Sequence, residues 1–467
     1  MRKIYISLVL FSSIYSFSQC FTSINGKKNH VTAIKTDGTL WGWGSNSTFA
    51  LNTTFNTFEA PMQLGIDTNW QKTRSGTNNV FAIKTNGTLW GRGENTRGSL
   101  GIGTAAIYSS NLVQIGTASW KEISSASEHS IGIQTNGTLW AWGRNDYNQV
   151  GNNTCCNDVL APVQISTDTD WASIDTSIWG YTMALKTNGT LWGWGMNQGA
   201  FGDSGTTSLP VPTQLSTDTD WAEISTLGVQ ILMLKTNGTL WVFGNGASGE
   251  LGLGAGVPTT FVPLQLGTAT WKSIGGGFFT SFAIKTDDTL WAWGLNDHIT
   301  GILGLGDTTN RNVPTQIGTD ANWAKVICGA DHTIAIKNDG TAYAWGLNYS
   351  SSTTLGTCPF GDNCNPILLP TAMNGVCAVL ENEGFNLGTT VSISPNPAKE
   401  QVNIAFSTAL QNPSISIVDV TGKTVLTQNN TTLLNNTSMN VAGLSKGLYL
   451  VVVKSEGNTS VEKLVVD

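Results

Sequence analysis

KTNGTLWGWG, residues 186–195, decides the fold, because the chain repeats it seven times. The other copies are KTDGTLWGWG at 35–44, KTNGTLWGRG at 84–93, QTNGTLWAWG at 134–143, KTNGTLWVFG at 235–244, KTDDTLWAWG at 285–294 and KNDGTAYAWG at 337–346. A period of about 50 residues belongs either to propeller blades or to helical-pair repeats. Composition separates the two. The repeat is rich in Thr, Gly, Trp and Ile and lacks helical periodicity, so it is built of strands.

Each unit divides into four strands. The first starts at a Trp with an apolar residue three on, as in Trp120-Lys-Glu-Ile123. The second is the apolar run before the repeat Lys, such as Phe81-Ala82-Ile83-Lys84. An Asn-Gly or Asp-Gly pair then turns the chain, because a type I′ hairpin needs positive φ at both central residues. Asp287-Asp288 is the one copy without it. The third strand is TLWxWG. In it Trp41 and Trp43 share a face and Gly42 and Gly44 the other. The fourth is Pro-x-Gln-Leu/Ile, as in Pro162-Val-Gln-Ile165, whose Pro suits a sheet edge. Such a unit is apolar on both faces and must stack on its neighbours; repeated radially, it gives a propeller. The expected fold is all-β: a seven-bladed β-propeller over 19–377, a linker at 378–390 and a small β-sandwich at 391–467. Of 18 Trp only Trp179 lies off the three repeat positions, so the Trp set reads as core. Val376–Val379 is a poor eighth copy of the first strand that would lace the ring.

Charged residues are only 12% of the 467, the net charge is −7, and no Lys/Arg cluster occurs; the footprint of a nucleic-acid binder is missing. Arg2-Lys3, an apolar run and small residues up to Ser18 read as a signal peptide at 1–18. No later run is long and apolar enough to span a bilayer. The mature chain is expected to be a monomer. Export makes disulfides possible among seven Cys. Cys358 and Cys364 are placed to clip their loop, and Cys20 and Cys377 to pin the ring, with free thiols the alternative in each case. Adjacent Cys155 and Cys156 read as free or separately paired, because a vicinal bond is uncommon. No cysteine spacing fits a zinc site.

The GTLWxWG core, with His129-x-x-x-Ile133 before it and Leu-Gly-x-Gly at 100–103 and 251–254 after it, resembles the regulator-of-chromosome-condensation repeat over about 20–373. That resemblance implies a seven-bladed propeller. The nucleotide-exchange activity of the family's eukaryotic founder is not carried over, since no matching wedge insertion is found. The last stretch, from Ser394-Pro395-Asn396-Pro397 through Gly443-Leu-Ser-Lys-Gly447-Leu-Tyr449 to the terminal Lys463-Leu-Val-Val466-Asp467, resembles the type A C-terminal sorting domain of type IX secretion cargo. It implies a translocon partner acting through 391–467. It also implies a product released from, or attached to, the outer surface of a Gram-negative cell.

No catalytic signature emerges: no nucleophile elbow, Walker loop, H-E-x-x-H or calcium loop. No catalytic residue, metal or cofactor is expected. His30, His129 and His332 share one repeat position that is Asn79, Tyr181, Gln230 and Thr280 elsewhere, so they read as structural; His298 stands alone in a loop. Asp168-Thr-Asp170 and Asp218-Thr-Asp220 read as turns closed by Asx hydrogen bonds, with weak calcium binding as the alternative. What varies between copies is the loop from WG to the next Pro, and loops on a rigid scaffold are where function sits. Phe49, Phe55, Tyr108, Tyr147, Phe201, Phe261 and Tyr349 are the candidate exposed ligand aromatics there. The expected function is an exported or cell-surface scaffold that binds a protein or glycan through these loops. The alternative is a secreted polysaccharide hydrolase or lyase with its site at the propeller mouth.

Overall fold

The structure, a computed structural model, describes residues 21–373 and 391–467 apart from 29, 47–49, 52–57, 127, 198–200, 202–206, 258, 297–300, 348–365, 420–423, 431, 433, 456 and 457. It falls into two compact units, Met1–Cys377 and Ala378–Asp467.

The first unit is a ring of seven blades. Blade 1 consists of Phe21–Lys27, His30–Lys35, Leu40–Gly44 and Phe58–Gln63, hydrogen-bonded in chain order. The same order recurs around the ring. Blades 2 and 3 merge into one seven-stranded sheet because the single strand Tyr108–Ser125 ends one and begins the other. Every blade is built from consecutive chain, and blade 1 meets blade 7 face to face through Phe21, Ile24 and Trp43 against Ile327, Ile334 and Met373. The eighth-strand copy at 376–379 and the cysteines at 20, 358, 364 and 377 lie outside the described residues.

The repeat motif is a hydrogen-bonded relay. The Asn86 carboxamide oxygen accepts from Thr88 N at 3.1 Å and Thr88 Oγ1 at 2.8 Å. Thr88 Oγ1 in turn accepts from Trp90 Nε1 at 3.1 Å. Thus the turn residue orients the hydroxyl, and the hydroxyl orients the indole. Asp288 replaces the turn Gly at φ 67°. Its carboxylate is held by Lys272 and by Asn338 Nδ2, which offsets the cost of that backbone.

The second Trp of each TLWxWG fastens one blade to the next. Trp43, Trp142, Trp194, Trp293 and Trp345 are fully buried. Trp142 Nε1 donates to Ser99 O of the preceding blade at 2.9 Å, and Trp194, Trp293 and Trp345 make the same bond to Gln149, Glu250 and Ile302. Those carbonyls are held out by the variable loops, each of which dips an apolar plug into the core. In blade 2 the plug is Leu100, whose N–H donates to the buried Asn95 Oδ1 at 2.9 Å. Gly101, at φ 74°, lies flat on Trp142; a Cβ there would stand 2.7 Å from the indole nitrogen. Burial of one such indole contributes roughly 1.5–3 kcal/mol, so this layer dominates the ring's stability.

The second unit is a β-sandwich. A three-stranded sheet of Val391–Ser394, Gln401–Leu410 and Leu434–Asn440 faces a four-stranded one of Thr424–Asn429, Ser414–Asp419, Gly447–Ser455 and Asn458–Val466. Val402, Ile404, Ile415, Ile417, Val451 and Leu464 fill the space between them. The Leu434–Asn440 strand is polar along most of its length, LNNTSMN, and alternation alone does not reveal it.

Candidate functional site

The first strands stand innermost and line a central channel with a cavity of about 350 Å³. All seven carry a bulge two residues after their start, for example between Trp70 and Lys72 or Trp221 and Glu223. After the bulge, polar side chains point into the channel. Lys27, Arg74 and Lys325 are its cations, and Glu122, Asp175 and Glu223 its carboxylates. Lys27 reaches from blade 1 across to blades 3 and 4, where Nζ donates to Ser125 O at 2.9 Å and Thr176 O at 3.0 Å. Burial lowers its pKa, and Asp175 opposes that shift. Asp175 accepts from Thr226 N and Oγ1 at 2.8 and 3.1 Å and from Thr176 N at 3.0 Å. Arg74 pairs with Glu122 at 3.3 Å. Burial pushes the Glu223 carboxyl up to about 7.

The turns between first and second strands form the mouth of this channel. On one arc the turns are polar: Lys28 Nζ donates to Asn78 Oδ1 at 3.2 Å, and Arg144 pairs with Glu128 at 2.7 Å. On the arc of blades 4 to 6 they are apolar: Ile178-Trp179, Val229 and Phe278-Phe279. Trp179 is 43% exposed, its ring 6.3 Å from Phe278, and Phe279 meets Phe278 edge-on at 4.5 Å. Blades 4 and 6 touch over blade 5 because that blade turns through Gly228, where a Cβ would lie 2.1 Å from Phe278 O. The result is an aromatic crescent, Trp179 exposed and Phe278 and Phe279 half-buried, at the rim of a polar, charged channel. Stacking on a ring face and a polar anchor beside it is the ordinary chemistry of ligand recognition.

The expected loop aromatics among the described residues are not gathered in one place. Tyr147 is 41% exposed in its loop, under the Arg144 guanidinium at 5.6 Å. Tyr108 and Phe261 are exposed, but both belong to fourth strands at the outer edge of their blades. Phe201 is a correction: it is 6% exposed and stacks edge-on against Tyr181. It is blade 4's core plug, and Phe201-Gly202 comes six residues after Gly195, one fewer than separate Leu100-Gly101 from Gly93 in blade 2. Phe49, Phe55, Tyr349 and His298 fall outside the described residues.

The shared His position is a clasp between blades. His129 Nε2 meets Thr182 Oγ1 of the next blade at 3.3 Å. Tyr181 OH donates to Gly228 O at 3.3 Å, and Gln230 Nε2 to Thr280 O at 2.6 Å. Burial pulls His30 down to about 4 and His129 and His332 to about 3, so all three rings are neutral near pH 7. The Asp-Thr-Asp turns also differ from expectation. Their carboxylates hold the repeat Lys: Lys186 reaches Asp168 at 2.7 Å and Asp170 at 3.1 Å, and Lys235 reaches Asp218 and Asp220 alike. Cys155 and Cys156, expected unbonded to one another, form a vicinal disulfide in the blade 3 loop. Among the described residues no group of three or more His, Cys, Asp or Glu is placed to hold a metal ion.

Seven four-stranded blades around a polar channel, followed by a separate sandwich, define an all-β propeller with an appended module. Family models specify both parts. Regulator of chromosome condensation (RCC1) repeats match at 136–177 and 287–336, and by a second model at 120–149 and 323–351; a secretion system C-terminal sorting domain matches at 392–467. The chain thus carries RCC1 repeats and a type IX sorting domain. It is similar to the protein RCC2 homolog of Danio rerio, 37% identical over 93 residues, which are 19% of this chain and 17% of that protein. Human WBSCR16 is similar in structure, with TM-score 0.61 and 18% identity over 72% of this chain and 94% of that one. Prp20p of Saccharomyces cerevisiae gives TM-score 0.60 and 20% identity over 68% and 83%. At such identities the likeness is one of fold.

Proposed function

We propose that this chain is an exported binding scaffold whose ligand, a protein or glycan, sits on the channel mouth. The observation that carries it is the exposed Trp179, set against the half-buried Phe278 and Phe279, beside the charged channel. The sorting domain gives a secreted, cell-surface or extracellular destination. In the fold's own company, Prp20p has binding properties to Gsp1p and histones, so such a ring serves there as a protein-binding platform. The test is a protein and glycan array screened with the propeller and with Trp179→Ala/Phe278→Ala. Ligands retained by the first and lost by the second support the reading; ligands bound equally by both refute it.

Glu223 favours a second reading, a polysaccharide-active site in the channel, because a carboxyl titrating near 7 suits proton transfer. Turnover of a polymer that Glu223→Gln abolishes would establish it. Removing 391–467 is expected to hold the chain back inside the cell envelope; recovery of that variant outside the cell would break the export reading.

A further inference from the structure

In four blades the repeat Lys is neutralised by an Asp three residues before the first-strand Trp. Lys84 pairs with Asp67 at 2.9 Å, Lys186 with Asp168 at 2.7 Å, Lys235 with Asp218 at 2.8 Å and Lys337 with Asp320 at 2.7 Å. Each ammonium then sits 4.5 to 5.2 Å from the ring of its third-strand aromatic. Blades 3 and 6 lack that Asp. Their linkers, Gly-Thr-Ala-Ser at 116–119 and Gly-Thr-Ala-Thr at 267–270, are one residue shorter than Ser-Thr-Asp-Thr-Asp at 166–170. Blade 3 compensates by carrying Gln134 in place of the Lys. Blade 6 does not: Lys285 remains.

Two observations mark what the missing carboxylate leaves behind. Lys285 drops onto Trp291, 3.5 Å from the ring centroid. A cavity of about 390 Å³ opens beside it, walled by Trp271, Leu253, Leu266, Val313 and Pro314. The nearest carboxylate in sequence, Asp287, accepts from Thr289 N and Oγ1 at 3.1 and 2.6 Å, as its counterparts do in the other blades. Lys35 also lies 3.5 Å over its indole, but its blade's linker is outside the described residues. Gln134 shows that the fold does not require a cation here. Lys285 is therefore a half-buried ammonium in an apolar-walled cavity, and the sister blades display its complement: an Asp carboxylate on an extended segment.

We infer that the Lys285 cavity takes an Asp-bearing peptide segment of a partner protein, seated as the Asp linkers of blades 4 and 5 seat themselves. The apolar walls hold the segment's backbone and flanking side chains, while the ammonium leaves Trp291 for the carboxylate.

The probe is an acetylated Ser-Thr-Asp-Thr-Asp peptide, read by NMR on the full chain labelled at lysine ¹³Cε. The Lys285 resonance is assigned by its loss in Lys285→Gln, which reproduces blade 3 and should fold. In wild type this signal is expected upfield, from the ring current of Trp291, and moves downfield and saturates with millimolar peptide. Replacing 267–270 by Ser-Thr-Asp-Thr-Asp supplies the carboxylate internally; the signal should then start downfield and ignore the peptide. Glucuronate at equal concentration should leave wild type unmoved. A signal indifferent to the peptide, or one shifted equally by glucuronate, overturns the inference. Trp179→Ala should leave the titration intact, so its outcome is independent of the mouth reading.

Discussion

The aromatics on the repeat and those off it behave oppositely. Trp142 is fully buried, packed edge-to-face with Phe81 and Trp120 and hydrogen-bonded across a blade boundary. Trp179 touches Phe278 and is nearly half exposed. One ring is locked by every neighbour it has; the other presents a face to solvent. The difference teaches that repetition in this chain encodes the frame, and departures from repetition mark what the frame displays.

The largest effect on the frame should come from acid. Each histidine of the shared position has its folded pKa depressed from 6.5, to about 4 for His30 and about 3 for His129 and His332. The unfolded chain therefore binds protons first as pH falls. The stabilisation is complete above 6.5 and is lost below it, by about 1.4 kcal/mol per pH unit for each His until the folded pKa is reached. Denaturant titrations between pH 7 and 5 should show this slope, and His129→Asn, which copies Asn79 of blade 2, should reduce it by one histidine's share. An unchanged slope would mean the ring is solvated.

Trp142→Ala comes next, at about 3–5 kcal/mol, because the cavity lies between two blades that cannot close on it. Calorimetry checks it; an unshifted melting temperature would erase the contrast with Trp179. Asn95→Ala should cost about 1–3 kcal/mol, since it leaves the buried Leu100 N–H and the Thr104 carbonyl without their partner. Trp179→Ala should fall within about 0.5 kcal/mol of wild type while removing ligand at the mouth. A large loss of stability there would move Trp179 into the frame.

The blade count, the strand cut and the burial of the inner Trp layer were legible because each is written seven times at a fixed period. The structural role of the shared His position was legible for the same reason, since swaps at one position expose a role that tolerates them, but its reach into the next blade was not. The mouth was not, because its turns are two to four residues long and carry no pattern; the solitary place of Trp179 was the one available sign. Phe201 was read as display because it lies in a variable loop, although Phe201-Gly202 repeats the Leu100-Gly101 plug with a larger side chain. The Lys–Asp pairs join residues 17 or 18 apart across a strand and its hairpin, for example Lys84 with Asp67 and Lys186 with Asp168. The sign in the sequence was the one-residue difference in linker length.

Among the described residues each blade is built from consecutive chain, blades 2 and 3 alone share a strand, Tyr108–Ser125, and blades 7 and 1 meet by face-to-face packing. The ring accordingly has no privileged beginning. Joining 373 to 21 through a linker like 166–170 and opening the chain at a blade boundary other than that of blades 2 and 3, where Tyr108–Ser125 runs through, would give a circular permutant with the same set of contacts. Growth or loss of the ring by whole blades is likewise a change of copy number, with each newcomer meeting only its two neighbours.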